Sequence, residues 1–193
     1  MSKGRLEAFS DGVIAILITI MILELKVPHG TDWEALRELL PLFLSYVLSF
    51  VYVGIYWNNH HHMLHVAKRI NGKILWANLH LLFWLSLVPF ATGWVAESHA
   101  SASLPVALYG VILLFAGGAY GILQSAIIKE DGKDSKLREA VGEDWKSRVS
   151  IVAYGAAIAV AFFQRWISIA LYVLVAAIWL IPDPRIERSL REE

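Results

Sequence analysis

The sequence predicts an all-α membrane protein with six transmembrane helices. Of its 193 residues, 57% are hydrophobic and only 18% are charged, and the mean hydropathy is +0.54. A soluble domain of this length does not need so apolar a composition, whereas a chain that crosses a bilayer several times does. The net charge is zero and cysteine is absent, so no nucleic-acid partner, disulfide or thiolate metal site is predicted.

Six apolar segments are predicted spans of a single transmembrane domain that covers residues 1–193. A helix needs about 20 apolar residues to cross a hydrocarbon core of roughly 30 Å. The predicted spans are, in chain order, residues 6–27, 39–57, 74–96, 104–128, 149–163 and 166–182.

Proline and charged residues define several span ends. Pro41 and Pro105 stand near the starts of the second and fourth spans, where a first helical turn tolerates proline, whereas Pro89 lies inside the third. Only Gln164 and Arg165 separate the last two spans. Because one continuous helix of their combined length would be too long for the bilayer, we predict a tight helical hairpin there.

Positive charges predict the orientation of the chain. With six spans, both termini lie on the same side as the loops at residues 58–73 and 129–148. All Lys and Arg residues except Lys26, Arg37 and Arg165 fall on that side. Positively charged loops remain in the cytoplasm, so we expect both termini to be cytoplasmic.

The most informative motif lies at the start of the first span. Arg5, Phe9, Ser10 and Asp11 form the pattern Arg-x-x-x-Phe-Ser-Asp, directly before an uninterrupted apolar block at residues 12–23. An ionisable side chain at or inside a span is costly to desolvate and usually faces a bundle interior or a water path. Asp11 is therefore a candidate functional residue.

A histidine cluster follows the second span. His61 and His65 are four residues apart, a spacing that places two imidazoles on one helix face. Metal binding and pH sensing are two functional alternatives, but imidazoles at a helix end also hydrogen-bond last-turn carbonyls and neighbouring polar groups. We favour a hydrogen-bond network without metal. Its candidate members are His60, His61, His62, Asn78 and His80.

Two residue types in the spans have structural rather than functional interpretations. Small residues at Gly117, Gly118, Gly121 and 155–157 predict close helix packing, and we favour packing within the subunit over contact between subunits. Tryptophans near the span ends, Trp57 among them, are predicted interfacial anchors. Because no nucleophile elbow, His-Glu-x-x-His motif, P-loop or Gly-rich dinucleotide turn occurs, we predict neither an enzyme nor a bound cofactor.

The first two spans resemble those of a known family. The pattern at residues 5–28, which continues past Asp11 through Ile16 and Thr19, and the Tyr-Trp-x-x-His-His pattern at residues 56–61 are similar to prokaryotic relatives of the lysosomal/endosomal potassium channel. In span count and hairpin placement the resemblance extends over nearly the whole chain.

The resemblance implies a homotetramer of six-span subunits in a bacterial inner (plasma) membrane, with the first helix of each subunit around a central pore. It implies a potassium-permeable channel, and no Thr-Val-Gly-Tyr-Gly carbonyl filter occurs in the chain. The expected partners are further copies of the chain, membrane lipid and monovalent cations, with K⁺ as the permeant ion. Carried over by position, the pore rings fall on Ile16, Thr19, Ile20 and Leu23.

Helical geometry groups the same four residues. At about 100° per residue they fall in a stripe about 100° wide, whereas Asp11 points about 140° away from Ile16. Periodicity alone leaves open that this stripe faces lipid or the protein core. If it lines a pore, as the resemblance implies, a narrow apolar ring can gate by dewetting, and the Thr19 hydroxyls can replace part of an ion's hydration shell.

Arg5, Ser10 and Asp11 would then brace the first helix against the next ones. Their expected contacts are the histidines at residues 60–62, His80 or Asn78, and Arg5 is itself a candidate partner of Asp11.

The main alternative function is a cation- or proton-coupled secondary transporter. Asp11, Glu24 or His80 would then be a proton or cation site. The absence of paired repeats and of short broken helices at the midplane argues against this alternative. A membrane scaffold without transport is a third hypothesis.

Overall fold

The fold consists of helices joined by short connections. The computed structural model describes residues 2–98, 101–132, 135–141 and 145–180. In chain order the helices are α1 (Lys3–Leu23), α2 (Trp33–Glu38), α3 (Leu40–Val66), α4 (Gly72–Ser86), α5 (Val88–Glu97), α6 (Ser103–Asp131), α7 (Lys136–Val141), α8 (Trp145–Val160) and α9 (Arg165–Leu180). No strand occurs within these described ranges, and the prediction of an all-α protein is confirmed.

Four segments are long and apolar enough to cross a membrane. They are α1, α3, α6 and the pair formed by α4 and α5. The helices α8 and α9 contain 16 residues each, which corresponds to about 24 Å of helix. A four-residue turn at 161–164 joins them, and they pack against each other. That these two shorter helices also cross the membrane stays a prediction.

Proline explains the break between α4 and α5. Pro89 lacks a backbone N–H, and its ring clashes with the carbonyl group four residues earlier in a regular helix. The hydrogen-bond pattern changes two residues before the proline, where the N–H of Leu87 donates to the carbonyl of Trp84, three residues earlier, at 3.2 Å. The segment Gly72–Glu97 nevertheless remains one candidate span, as the sequence predicts.

Several helix ends differ from the predicted span ends, those of α1 and α3 among them. α1 ends at Leu23 rather than at residue 27, because a helix continued to residue 27 would bring the Pro28 ring against the carbonyl of Glu24, four residues earlier. α3 continues to Val66 rather than ending at residue 57. Its polar residues remain helical, and the Asn59 side chain donates to the carbonyl of Ile55 at 2.8 Å. The histidine cluster therefore lies on a helix and not in a loop.

α6 is the central helix of the subunit, and α1 is a peripheral one. α6 packs against α4, α5, α8 and α9, and it carries the largest set of buried residues, Leu113 and Leu123 among them. α1 packs against α3, α4 and α5. It therefore lies at the edge of the subunit and is supported from one side.

A buried tyrosine cluster occupies the space between α3, α6, α8 and α9. Its members are Tyr52, Tyr109, Tyr154 and Tyr172, whose neighbouring ring centroids lie 5.6 to 6.5 Å apart. The hydroxyl of Ser49 lies 2.9 Å from that of Tyr109 and 2.6 Å from that of Thr92, and the Tyr172 hydroxyl donates to the carbonyl of Val106 at 3.0 Å. These hydroxyl groups lie among apolar side chains, away from water. They are satisfied by hydrogen bonds to other groups of the protein.

The closest helix packing involves a different glycine from those that the sequence suggested. A Cβ atom at Gly110 would lie 2.1 Å from the Tyr172 hydroxyl oxygen. At Gly118, Gly121 and Gly155 a Cβ atom would meet nothing within 4 Å among the described residues, and at Gly117 it would make an ordinary contact of 3.6 Å. The prediction of close packing inside the subunit is therefore wrong for Gly118, Gly121 and Gly155. It holds for Ala157 of the same 155–157 run, which is completely buried and whose carbonyl accepts a hydrogen bond from Ser168 of α9 at 2.7 Å. Small-residue spacing alone does not reveal where a large side chain enters from another helix.

Candidate pore helix and its polar anchor

α1 has one packed face and one open face. Its buried residues are Leu6, Ser10, Ile14, Leu17 and Met21. They recur every three to four positions and face the supporting helices α3, α4 and α5. The opposite face carries Ile16, Thr19, Ile20 and Leu23, here called the α1 stripe, and all four are exposed in the subunit. Ile16 is 56% exposed and Leu23 is 76% exposed.

Thr19 is the polar member of the α1 stripe. Its hydroxyl lies 2.9 Å from the carbonyl oxygen of Ile16 and 3.2 Å from that of Ala15, so its single proton is directed into its own helix. A hydroxyl oxygen also has two lone pairs that can accept. These lone pairs remain available on the open face, where they can interact with water or a cation.

A chain of three buried side chains ties α1 to α3 and α4. The amide nitrogen of Asn78 donates to the Ser10 hydroxyl at 2.9 Å, and its amide oxygen lies 2.7 Å from Nε2 of His60. The Ser10 hydroxyl in turn donates to the carbonyl of Leu6 at 2.9 Å. Ser10 and Asn78 are completely buried and His60 is 1% exposed. Ser10, Asn78 and His60 are here called the anchor.

The anchor requires a proton on Nε2 of its histidine. Since the amide nitrogen of Asn78 is committed to Ser10, the amide oxygen faces His60, and an amide oxygen can only accept. His60 must therefore donate through Nε2. Each of the three links is thus a matched donor and acceptor in a region from which water is excluded, which is where an unmatched polar group is most costly.

Asp11 is held by a residue that sequence reasoning assigned elsewhere. The indole N–H of Trp57 donates to Oδ1 of Asp11 at 3.0 Å. Trp57 was expected only as an interfacial anchor. The expected pairing with Arg5 is wrong: the two residues are six positions apart on one helix, so they point about 120° apart. Among the described residues no contact joins Arg5 to Asp11.

Arg5 and Phe9 lie on the open face of α1 rather than against α3 or α4. Both are exposed, and the helical period places them along the line of Ile16. The motif thus divides in two, since Ser10 and Asp11 form hydrogen bonds with other helices. Among the described residues no hydrogen bond or ring contact supports the bracing role that the sequence suggests for Arg5 and Phe9.

The other predicted network members lie outside the anchor. His80 is exposed and accepts a hydrogen bond from the indole of Trp84 on its own helix at 3.0 Å. His61 is exposed and stacks on Trp57, while the His62 ring lies edge-on to that of His61. The network is therefore narrower than predicted, because His80 points away from α1 and His61 and His62 follow other faces of α3.

A further contact of α1 was missed by sequence reasoning. The ammonium group of Lys3 donates to the main-chain carbonyl of His65, so the first turn of α1 lies beside the last turn of α3. A lysine near the C-terminal end of a helix commonly satisfies a free carbonyl there, but only the helix arrangement shows which lysine does so. Within the described ranges, no group of three or more His, Asp or Glu side chains is arranged to hold a metal ion.

Known proteins resemble this chain in sequence and in fold. The sequence profile described as "Endosomal/lysosomal potassium channel TMEM175" matches residues 5–89, which contain all but the first two residues of α1 and the whole anchor. A potassium channel of Chryseobacterium sp. (strain P1-3) is 58% identical over 192 residues, which is 100% of each chain. The endosomal/lysosomal proton channel TMEM175 of Homo sapiens is 41% identical over 96 residues, or 43% of this chain and 19% of the human protein.

A solved structure extends this similarity to three dimensions. The crystal structure of a lysosomal potassium-selective channel TMEM175 homolog from Chamaesiphon minutus superposes with a TM-score of 0.79 at 30% sequence identity. The superposition covers 92% of this chain and 96% of that one.

Proposed function

The chain belongs to the endosomal/lysosomal potassium channel TMEM175 family, and from this membership we propose that it forms a potassium-permeable channel in a bacterial inner membrane. The Chryseobacterium relative that matches over the full length is named a potassium channel. The family consists of channels and not enzymes, in agreement with the lack of enzymatic motifs.

The observation that carries this proposal is the open face of α1. A helix supported from one side by α3, α4 and α5 presents a row of apolar side chains and one threonine to whatever lies opposite. A homotetramer with α1 next to the symmetry axis would place four copies of this row around a central path. The anchor lies behind the row, where it would hold α1 in position without touching the ions.

Each position in the α1 stripe would form a ring of four side chains. Rings of Ile16, Ile20 and Leu23 would be apolar constrictions that control conduction by dewetting. The ring of Thr19 would supply four hydroxyl oxygens whose protons are directed into their own helices. Such oxygens can replace part of the hydration shell of K⁺, in a path without a carbonyl filter.

The six-span topology with cytoplasmic termini completes the proposal. The charge distribution and the four long candidate spans support it. Reporter fusions at residue 193, which lies outside the described residues, test it directly. A periplasmic reporter signal would contradict an even number of spans.

The transporter hypothesis is not favoured by the similarity to channels. The three side chains that this hypothesis names as proton or cation sites have surroundings, among the described residues, that do not form such a site. Asp11 accepts from Trp57, Glu24 lies exposed just after the end of α1, and His80 accepts from Trp84 on the surface.

Single-channel recording of the purified protein in a planar bilayer tests the proposal. Unitary K⁺ currents exclude a carrier, and their absence from an active preparation would reject the channel function. Ile16→Asn should raise the basal current by weakening the dewetting barrier. The matched control is Ile22→Asn, an exposed isoleucine of the same helix that points about 120° away. Equal effects of the two substitutions would mean that α1 does not line the path through Ile16.

Thr19→Val tests the selectivity part of the proposal. Valine keeps the shape of threonine but removes the hydroxyl ring, so the preference for K⁺ over Na⁺ should fall. Reversal potentials under bi-ionic conditions measure this preference. A wild-type preference in the conducting variant would assign selectivity to another position.

A further inference from the structure

An open apolar groove runs along the surface of the subunit between α3 and α9. Its volume is about 590 Å³, and residues of α5 and α6 form its base. Four hydroxyl groups on its wall all hydrogen-bond within the subunit, and they belong to Ser45, Thr92, Tyr109 and Tyr172. The rest of the wall consists of aliphatic side chains and Trp166. Such a wall suits a hydrocarbon chain and not a polar solute.

α3 and α9 run in the same direction along this groove. The Tyr52 hydroxyl donates to the carbonyl of Tyr172 at 2.6 Å. Asn59 and Trp179, each seven residues further along its helix, line one small cavity. The first turns of α3 and α9 therefore lie at the same end of the groove, and Trp166 lines the groove there.

Arg165 supplies a positive charge at this end. Its guanidinium carbon lies 5.9 Å from the centre of the Trp166 ring. The Nε atom of Arg165 is buried and has no hydrogen-bond partner among the described residues, which is a costly state for an N–H group. The side chain as a whole is half-buried, so an anion from outside the subunit can reach it. A guanidinium group binds a phosphate through two parallel N–H bonds.

The groove has the length and the position of a lipid tail. It is lined from Trp166 to Leu180, which corresponds to about 21 Å of helix. One leaflet contributes about half of the hydrocarbon core, or about 15 Å. An acyl chain in the groove would therefore begin at the level of Arg165 and Trp166, and these residue types are common at the headgroup level of a membrane.

We propose that the groove binds a phospholipid, with the phosphate on Arg165 and one acyl chain along α3 and α9. The proposal rests on the six-span topology proposed above, in which α9 lies in the bilayer. It does not depend on ion conduction, because lipid binding is measured without any current. Lipid binding can therefore fail in a protein that conducts, and it can be present in one that does not.

Native mass spectrometry of the full-length protein in detergent tests the phosphate contact. Phosphatidylglycerol should bind about tenfold more tightly than a diacylglycerol with the same acyl chains, because only the first offers acceptors to a charged donor. Arg165→Gln should remove this difference. The matched control is Lys26→Gln, which removes one exposed positive charge on the same predicted side and should leave the difference intact. Equal binding of the two lipids by the wild type would overturn the proposal, whether or not the variants fold.

A second pair of variants tests the position of the acyl chain. Ala177 is exposed and lines the groove, so Ala177→Phe should fill it and weaken the binding of phosphatidylglycerol by about tenfold. Ala156→Phe is the control, since Ala156 is an exposed alanine of α8 outside the groove. Phosphatidylglycerol binding that is unchanged by Ala177→Phe would overturn the proposal. A groove covered by a second copy of the chain would show no preference between the two lipids and would overturn it as well.

Discussion

Two buried polar networks stabilise this subunit, and they differ in what they connect. The anchor joins α1 to α3 and α4 through side chains, from Ser10 to Asn78 to His60. The tyrosine cluster joins α3, α6, α8 and α9, and two of its hydroxyls donate to main-chain carbonyls, that of Tyr52 to Tyr172 at 2.6 Å and that of Tyr172 to Val106 at 3.0 Å. The first network positions one helix at the edge of the subunit, while the second holds the body together.

The two networks should therefore affect different properties of the protein. The tyrosine cluster should affect stability alone, and the anchor should affect both stability and conduction. Changes in the tyrosine cluster should lower the amount of folded protein without altering the current that each folded channel carries. Changes in the anchor should act on both, because they release the proposed pore helix from a body that stays folded. Four substitutions test this distinction, from the largest expected loss of stability to the smallest.

Gly110→Ala should destabilise the body most. The new Cβ atom would lie 2.1 Å from the Tyr172 hydroxyl oxygen and 2.9 Å from the Ile158 side chain, so the buried tyrosine must move. Overpacking of this kind costs about 3 kcal/mol. Thermal unfolding in detergent measures it, with Gly118→Ala on the same helix as the control, because nothing lies within 4 Å of a Cβ atom there. Equal unfolding midpoints would refute the close approach of α6 and α9.

Asn78→Leu should distinguish the role of the anchor from that of the tyrosine cluster most clearly. It removes the partner of His60, whose buried N–H is left unsatisfied, while Ser10 keeps its bond to the Leu6 carbonyl. We expect a loss of about 2 kcal/mol and a lower K⁺ flux per folded protein in liposomes. His80→Leu, a polar-to-leucine change at an exposed position of α4, should leave flux intact. Normal flux from Asn78→Leu would show that the anchor does not position the pore helix.

Tyr109→Phe should weaken the body slightly and leave conduction alone. It removes one hydroxyl partner of Ser49, which keeps Thr92 at 2.6 Å. Hydrogen bonds of this type in membrane proteins contribute about 0.6 to 1.7 kcal/mol, so a loss of about 1 kcal/mol is expected. Unfolding midpoints and liposome flux are compared with those of Tyr46→Phe, a half-buried tyrosine of α3. A changed flux per folded protein would mean that the cluster also acts on the pore.

Asp11→Asn should have the smallest effect. The asparagine oxygen can still accept from the Trp57 indole, so only the charge is lost from a partly exposed hydrogen bond. We expect a loss of about 0.5 kcal/mol in the stability of the proposed tetramer and an unchanged preference for K⁺ over Na⁺. Native gels and bi-ionic reversal potentials report the two quantities. A stable tetramer with transformed selectivity would place Asp11 in the ion path.

Local pattern was sufficient to predict the helices and the faces of α1. The lengths of apolar sequence predict α1, α3 and α6, and the period of 3.6 residues assigns Ile16 and Leu23 to one face and Asp11 to another. These properties depend on the chain alone, because a helix closes its hydrogen bonds within itself. The same reasoning could not distinguish a face toward lipid from one toward a pore, and the family resemblance supplied that expectation.

The partners across helices were decided by the tertiary structure. Ser10 and Asn78 are 68 positions apart, and Asp11 and Trp57 are 46 apart, so neither contact has a signature in sequence spacing. For the same reason His60 joins the anchor while His80 does not, although both are histidines in apolar helices. Sequence by itself determined that α1 carries a largely apolar stripe and a polar motif. Only the packing of α3 and α4 against it decided which polar groups meet, because that depends on the rotation and depth of each neighbouring helix.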